Sequence, residues 1–387
     1  MTTYVEAIQK SLVLPLEKVA NKVFTQKYNP LYYHGALPNL FLWALFLTGL
    51  LLLVYYQATL STAYASMKYI TYQAPFGNAI RSIHRYAADG MMIFVLIHLF
   101  RVWFTDRYRE YRIIPWISGI VLFTVLFLVG LTGYMLIWDQ DAVALTNVTI
   151  NLLRSFPVIG TGLAGFMLAT DLSGSSLITD YTITRMLVLH LGIPLLMMFL
   201  LWWHYLRITR PVTDAPLALV LMMVGGLLLV AGAAPVVLGD MAPPDFAVVA
   251  KSIHLDGLYA WPQQLALAGW NMGVIWLMVL AVPVGLFVLP YLQKKALRGQ
   301  FARVVADNCT GCSLCYNDCP YEAITMVDRN DGSRFKRLAT VNPEHCANCG
   351  LCVGACAFKA IDIPRCESKD VLAEIEAALA GQSLASA

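Results

Sequence analysis

The first 308 residues of this chain contain no cysteine, and charged residues are scarce throughout. Only 13% of the 387 residues are charged and 58% are hydrophobic, whereas an average soluble domain is about 25% charged. This composition excludes an ordinary soluble enzyme and indicates an integral membrane protein. The formal net charge of +3 is too small to indicate binding to nucleic acid. All nine cysteines follow residue 300, so the sequence predicts a membrane part up to about Leu297 and a cysteine-rich part after it.

Several sequence signals are also missing. We find no glycine fingerprint for a nucleotide, no flavin motif and no molybdenum motif, so a primary electron donor would have to be another protein. No cleavable signal peptide is visible, because the N-terminal segment 1–29 is amphipathic and no small-residue cleavage site follows an uninterrupted apolar core.

Six apolar stretches are long enough to cross a bilayer, which takes about 20 helical residues. We therefore predict an all-α membrane protein with six transmembrane helices. The connection 141–176 contains proline and several glycines, and we expect short helices on the outer surface there. The segment 238–263 is also expected outside. The predicted spans are 37–57, 79–104, 114–137, 184–206, 216–237 and 264–291.

Most lysines and arginines fall on one side of the predicted spans. They precede the first span, separate the second from the third, and follow the fourth and the sixth, which makes that side cytoplasmic by the positive-inside rule. Six spans then put both termini in the cytoplasm, and we expect a multi-pass protein of a prokaryotic inner membrane. The basic residues are Lys10, Lys18, Lys22, Lys27, Arg107, Arg109, Arg112, Arg207, Arg210, Lys294, Lys295, Arg298 and Arg303.

Four of the seven histidines form two pairs with the same spacing. His84 and His98 lie fourteen residues apart in one span, and His190 and His204 lie fourteen apart in another. Fourteen residues make nearly four helical turns, so each pair lies on one helix face, about 21 Å apart along the axis. Facing helices would place His84 opposite His190 and His98 opposite His204. Histidine is rare inside membranes and usually functional there, and two imidazoles suit six-coordinate haem iron. The pattern predicts two bis-histidine haems.

Two glycine pairs repeat the histidine spacing. Gly35 and Gly49 lie fourteen residues apart at the first span, and Gly119 and Gly133 lie fourteen apart in the third. Small residues also serve ordinary helix packing in membranes. The matching period nevertheless predicts that each glycine clears space for one face of a porphyrin.

Four arginines lie near the predicted haem ligands. Arg81 and Arg85 flank His84 on the outer side, where the positive-inside rule disfavours them, so we expect them to neutralise haem propionates. Arg101 follows His98 by three residues and could pair with the inner haem, although positive charge is expected on that side anyway. Arg185 could reach the outer haem or line a quinone cavity.

The cysteines form two complete runs of C-x2-C-x2-C-x3-C, at 309–319 and at 346–356. This is the run that holds iron–sulfur clusters in bacterial ferredoxins, where the fourth cysteine ligates the other cluster. A structural zinc site is the alternative, but zinc takes four ligands, usually from two separated C-x2-C pairs. Cys366 is left over and is expected to be a buried thiol without a role. By the ferredoxin pattern one 4Fe–4S cluster takes Cys309, Cys312, Cys315 and Cys356, and the second takes Cys346, Cys349, Cys352 and Cys319.

Residues 30–291 resemble cytochrome b of the respiratory and photosynthetic cytochrome bc-type complexes. The likeness covers both histidine pairs, both glycine pairs, Arg81 and Arg101, the segment GYMLIWDQ at 133–140 and the segment NLLRSFPVIG at 151–160. Residues 300–366 separately resemble a bacterial two-cluster ferredoxin. The resemblance implies a four-helix bundle with one b haem near each membrane face. It also implies that the outer, lower-potential haem takes His84 and His190, and it is the sole basis for expecting a homodimer.

The carboxylates that could serve a quinone site depart from the family pattern. The family's Pro-Glu-Trp-Tyr signature is missing, and the nearest equivalent is LDGLY at 255–259, which puts Asp256 in place of the glutamate. The segment APPDF at 242–246 is a rival placement with Asp245. Asp139 replaces the glycine of a family motif. We expect proton transfer to use Asp256, Asp245 or Asp139.

These observations predict an electron conductor in the membrane. The first hypothesis is a subunit of a quinone oxidoreductase, which passes electrons between a low-potential cytoplasmic donor and the quinone pool through two clusters and two haems. The expected partners are quinone or quinol and other redox subunits, including a cytoplasmic dehydrogenase or flavoprotein. The second is a non-catalytic wire and anchor within a larger complex. The third is the cytochrome b subunit of a quinol:acceptor complex.

The predicted domain boundaries follow the same reasoning. They are an amphipathic segment 1–29, a dihaem four-helix core 30–210, two further spans with an outer loop 211–297, a small α+β ferredoxin-like domain 298–366 and a tail 367–387.

Overall fold

The computed structural model describes the chain in several stretches and divides it into two compact units. One unit comprises residues 1–108 and 114–290, and the other comprises residues 109–113 and 291–387. The described residues are 11–12, 14–104, 108, 112–170, 176–208, 213–238, 255–292, 301–319, 321–343, 345–346 and 351–363.

The first unit is helical. A short 3-10 helix, Pro30–Tyr32, lies between the first two α-helices. Two antiparallel strands of two residues each, β1 (Ala169–Thr170) and β2 (Ser176–Leu177), lie between the seventh and the eighth α-helix. The helices are α1 Leu14–Tyr28, α2 Leu37–Leu53, α3 Ala63–Tyr72, α4 Gly77–Phe104, α5 Ile113–Met135, α6 Gln140–Arg154, α7 Gly160–Met167, α8 Asp180–Leu206, α9 Leu217–Ala233, α10 Trp261–Leu267 and α11 Met272–Leu292.

Helices form at all six predicted spans. Four of them, α4, α5, α8 and α11, are long and apolar enough to cross a membrane, and α2 and α9 are apolar helices of 17 residues each. Seventeen residues lie at the lower end of the range that spans a bilayer, roughly 17–25 residues. The predicted class, an all-α membrane protein with a small sheet-containing C-terminal domain, is confirmed.

The last predicted span, 264–291, was wrong at its start. Helix α10 ends at Leu267 and α11 begins at Met272, because Gly269 between them has a φ of +81°. That left-handed conformation suits glycine and stops a right-handed helix.

The connection 141–176 contains short helices, as predicted. Helix α6 begins where the carboxylate of Asp139 accepts a hydrogen bond from the backbone N–H of Ala142 at 3.0 Å. A side-chain oxygen at this position satisfies a backbone donor that the first turn of a helix leaves free. Helix α6 buries one face, which includes Val143, Leu145 and Ile150, in the core of this unit.

The bundle core lies where α2, α4, α5 and α8 meet. Phe41, Ala87, Met92, Leu126 and Met197 are buried together there. Many leucines and phenylalanines on the opposite helix faces are exposed, as expected for faces that meet lipid rather than water.

The second unit is small and mixed. Strands β4 (Ile324–Asp328) and β5 (Arg337–Val341) form an antiparallel hairpin, and β3 (Arg303–Val304) pairs with β6 (Ile361–Asp362). Two one-turn helices, α12 (Leu314–Asp318) and α13 (Leu351–Ala355), each lie within one cysteine run. Among the described residues of this unit, the cysteines buried in the core are Cys309, Cys315, Cys319 and Cys352.

Candidate redox site

The four paired histidines each face one of the four paired glycines. At each glycine the backbone lies very close to the imidazole ring. A Cβ atom added to that glycine would contact the ring carbon Cε1. Distances from the position of such a Cβ to Cε1 are 3.5 Å for Gly35 and His98, 3.1 Å for Gly49 and His84, 3.5 Å for Gly119 and His204, and 2.8 Å for Gly133 and His190.

His84 and His190, called the outer pair after their predicted side of the membrane, have the ring separation of two ligands on one metal ion. The ring centroids are 6.4 Å apart and the rings are inclined by 62°. Metal–imidazole bonds are about 2 Å long, so two rings that ligate one ion from opposite sides have centroids roughly 6 Å apart.

The Nδ1 atom of each of these four histidines lies within hydrogen-bond distance of a polar side chain. In each case that side chain directly precedes the glycine that faces the same ring. The contacts are His84 with Thr48 Oγ1 (3.0 Å), His190 with Thr132 Oγ1 (3.2 Å), His204 with Ser118 Oγ (2.7 Å) and His98 with His34 Nδ1 (2.7 Å).

This arrangement leaves Nε2 of the four histidines available for a metal. Nδ1 of His190 also lies 3.1 Å from the carbonyl oxygen of Val129. A carbonyl can only accept, so Nδ1 carries the proton and Nε2 keeps its lone pair for a metal. A ligating histidine almost always donates its other N–H to such a partner, which fixes the tautomer and the ring orientation.

A cavity of about 430 Å³ lies around the outer pair. Its lining is mostly apolar and includes His84, His190, Gly49, Gly133, Arg81 and Arg85. Apolar walls, two imidazoles and two cations suit a haem, which has an apolar ring, an iron atom and two carboxylates. The residues present therefore fit the group.

Arg81 and Arg85 both line this cavity, but each already has a protein partner. Buried Arg81 donates hydrogen bonds to Thr71 Oγ1 at 3.0 Å and to the carbonyl of Val236 at 3.4 Å. Arg85 forms ion pairs with Asp89 and, at 2.7 Å, with Asp256. Their predicted role toward propionates stays a prediction.

Arg101 and Arg185 have protein partners, and their predicted roles toward a haem or a quinone stay predictions. Arg101 forms an ion pair with Glu17 of α1 and lies over the ring of Tyr32. Arg185 donates to the carbonyls of Phe166 and Leu168 at 2.9 and 2.8 Å. These carbonyls lie at the end of α7, where backbone acceptors need partners. Both arginines thus have structural partners within the first unit.

The three carboxylates proposed from the sequence have different surroundings. Asp256 pairs with Arg85 and also accepts hydrogen bonds from the backbone N–H groups of Leu258 and Tyr259, both at 2.8 Å. Asp139 caps helix α6. Asp245 lies outside the described residues. Sequence reasoning missed Asp89, which shares Arg85 with Asp256.

In the second unit, Cys315 has the three neighbours that the ferredoxin pattern assigns to it. Burial raises the pKa of the Cys315 thiol to about 11, and the nearby thiols of Cys312, Cys356 and Cys309 add to the rise. A thiol in such a group ionises readily only when a metal supplies the positive charge. Among the described residues, no three His, Cys, Asp or Glu side chains converge closely enough to ligate a single metal ion.

The fourth cysteine of each run accepts the same kind of backbone hydrogen bond. The N–H of Ala323 donates to Sγ of Cys319, and the N–H of Ala360 donates to Sγ of Cys356, both at 3.3 Å and both four residues further on. Such bonds stabilise thiolate ligands. Cys346 accepts a longer contact, 3.5 Å, from the N–H of Ala302. Cys349 and Cys366 lie outside the described residues.

Gly311, in the first cysteine run, occupies a position that only glycine fits. Its φ is +70°, and a Cβ there would lie 2.6 Å from the carbonyl oxygen of Arg337. The first run can therefore fold tightly against strand β5.

Imidazoles held in pairs across an apolar helix bundle, and thiols grouped in a small sheet domain, define the class as a membrane electron-transfer protein. Residues 19–211 match the family model for cytochrome b/b6/petB, and residues 308–360 match the model for a 4Fe–4S dicluster domain. Cytochrome b6 of Mastigocladus laminosus is 32% identical over 210 residues, which cover 53% of this chain and 95% of that protein. The chain belongs to the cytochrome b/b6 family and carries a ferredoxin domain at its C-terminal end.

A solved structure of a hyperthermophilic respiratory Complex III has the same fold. Its TM-score is 0.56 at 18% identity, and the match covers 75% of this chain and 83% of the other. Both parts of the resemblance stated from the sequence are confirmed. Family membership implies haem b, and the dicluster domain implies 4Fe–4S clusters.

Proposed function

We propose that this chain is the electron-transfer subunit of a membrane quinone oxidoreductase. It passes electrons between a low-potential cytoplasmic donor and the quinone pool through two 4Fe–4S clusters and two b haems. The observation that carries the proposal is the fourfold repeat in the bundle, where each ligand histidine has a glycine against its ring and a polar partner at Nδ1.

The bound groups supply one-electron chemistry, and the chain supplies their ligands and surroundings. His84 and His190 would hold the outer haem, and His98 and His204 the inner one. The helices hold the rings through Nδ1, and the apolar lining keeps water from the centre of the bundle. Arg81 and Arg85 line the outer cavity and would offset the negative charge of propionates.

The thiols would hold two clusters. The surroundings of Cys315 support the set Cys309, Cys312, Cys315 and Cys356 for the first cluster. The second set, Cys346, Cys349, Cys352 and Cys319, follows from the ferredoxin pattern. Gly311 lets the backbone of the first run approach its neighbours closely.

Asp256 is the carboxylate best placed for proton transfer to or from a quinone. It pairs with Arg85 and Tyr259 follows it closely, and both of those residues line the outer cavity. Asp256 shares Arg85 with Asp89. When Asp256 takes up a proton and loses its charge, Asp89 still neutralises the arginine. Asp139 is committed to the cap of α6, so we rank it below Asp256.

Two other functions are favoured by particular observations. A non-catalytic wire and anchor is favoured by the ion pair that already engages Asp256, and by the missing family signature. In that case quinone chemistry occurs on another subunit. A cytochrome b subunit of a quinol:acceptor complex is favoured by the shared fold with a respiratory Complex III structure.

The orientation proposed from the basic residues puts both termini and the ferredoxin domain in the cytoplasm. A soluble dehydrogenase or flavoprotein would then deliver or receive the electrons there. Association of two copies is proposed from the family resemblance alone.

The test is reduction of haem by a quinol analogue in the purified chain. A pyridine haemochrome and an iron assay first establish the haem and cluster content. Asp256→Asn should slow quinone turnover at least tenfold while both haems remain, because an amide cannot take up the proton. Asp214→Asn, at an exposed position, is the matched control. Normal turnover in Asp256→Asn would remove Asp256 from the mechanism, and no haem reduction by quinol in the unmodified chain would favour the wire.

A further inference from the structure

The inner ligand His98 differs from the other three ligands in its partner. Thr48, Thr132 and Ser118 present hydroxyls to Nδ1 of their histidines, whereas His98 meets a second imidazole. The Nδ1 atoms of His34 and His98 are 2.7 Å apart, and the ring centroids are 4.9 Å apart.

The direction of this hydrogen bond follows from the ligand role of His98. If Nε2 of His98 binds iron as a neutral imidazole, its proton is on Nδ1. One of two nitrogens in a hydrogen bond must donate and the other accept. His98 therefore donates, Nδ1 of His34 accepts, and the proton of His34 is on Nε2.

The turn that carries His34 is fixed by polar contacts with helix α1. Asn29 caps the 3-10 helix Pro30–Tyr32 through the N–H of Leu31 and donates to Asn21 at 2.8 Å. Asn21 in turn donates to the hydroxyl of Tyr32 at 3.0 Å. These bonds hold the segment just before α2, so His34 approaches His98 from a rigid turn.

We propose that His34 is a positioning residue that orients His98 and lowers the reduction potential of the haem held by His98 and His204. An imidazole nitrogen is a stronger acceptor than a hydroxyl oxygen, so it draws the Nδ1 proton of His98 more strongly. The ligand becomes more basic and stabilises the oxidised iron. This inference rests on the proposed haem ligation.

The experiment is a redox titration of the purified full-length chain, followed by optical and electron paramagnetic resonance spectra. His34→Ser replaces the imidazole acceptor with a smaller and weaker hydroxyl acceptor. We expect both haems to remain, the midpoint potential of one to rise and that of the other to stay unchanged. His34→Asn keeps an acceptor oxygen and should give a smaller rise.

Two matched variants identify which haem moves. Ser118→Ala removes the partner of His204, the opposite ligand of the same haem, and should shift the component that His34→Ser shifts. Thr48→Ala removes the partner of His84 and should shift the other component. Loss of one haem in His34→Leu, with both retained in His34→Asn, would also support the positioning role.

The inference is overturned if His34→Ser and His34→Leu keep both haems at unchanged potentials and with unchanged resonance spectra. That result differs from failure of the proposed function, in which the unmodified chain made with ample haem carries no b-type spectrum.

Discussion

Gly133 is the most closely packed of the four glycines that face a ligand histidine. A Cβ at this position would lie 2.8 Å from Cε1 of His190, and overpacking of this kind costs about 1–3 kcal/mol. We expect Gly133→Ala to push His190 aside and to reduce haem content from two per chain towards one. A pyridine haemochrome assay measures this content.

The control for this variant is Gly192→Ala, two residues after His190, where a Cβ would meet nothing within 4 Å. It should keep both haems. Full haem content in Gly133→Ala would mean that close approach at this glycine is not required for the outer ligand.

Single residues of the candidate site were predictable from the sequence where a regular spacing marks them. Spacing identified the histidines and glycines, because helical geometry converts fourteen residues into one face. The polar residue before each glycine has the same repeat, and His34, Thr48, Ser118 and Thr132 could have been found from it. The partners of Arg101 and Arg185 could not be predicted from the sequence, since these contacts depend on how α1 and α7 fold back onto the bundle.

Helix α6 gives Asp139 a role that needs no quinone. Its carboxylate accepts from the N–H of Ala142, and loss of such a cap costs about 0.5–2 kcal/mol. We expect Asp139→Ala to lower the temperature at which the haem spectrum is lost on heating in detergent. Asp139→Asn should lose less stability than Asp139→Ala and should leave quinone turnover unchanged, because asparagine also caps a helix.

The same pair of variants distinguishes a cap from a proton carrier. An amide cannot take up a proton as a carboxylate does. If Asp139→Asn slowed turnover as much as Asp256→Asn does, while leaving stability intact, Asp139 would belong to the proton path after all.

The six apolar helices were predictable in place but not at every end. Hydropathy located all six apolar segments because lipid requires long apolar stretches. The start of α11 was missed, because one glycine at positive φ breaks an otherwise apolar run at Gly269. Asp89 was overlooked for a different reason. A single carboxylate in a long apolar helix shows its purpose only when Arg85 and Asp256 are brought beside it.

At the scale of the whole molecule, the two units serve different steps of one proposed path. The first unit has the proposed haem ligands, and the second unit has the thiols. In the sequence every cysteine follows residue 300, whereas the second unit also includes residues 109–113. The rate of haem reduction reports on the path between the two units, because electrons from a cytoplasmic donor should reach the haems only when the clusters are present.

Inverted membrane vesicles, which expose the cytoplasmic face, test this path. A membrane-impermeant, low-potential viologen dye added outside them should reduce the haems rapidly through the ferredoxin domain. Cys356→Ser removes a proposed ligand of the first cluster and should slow this reduction at least tenfold, whereas haem reduction by quinol persists because the bundle is untouched. Cys366→Ser makes the same chemical change at a cysteine without a proposed role and should leave the rate unchanged.

Equal rates in Cys356→Ser and the unmodified chain would show that electrons bypass the first cluster. Rapid reduction only in right-side-out vesicles would reverse the proposed orientation.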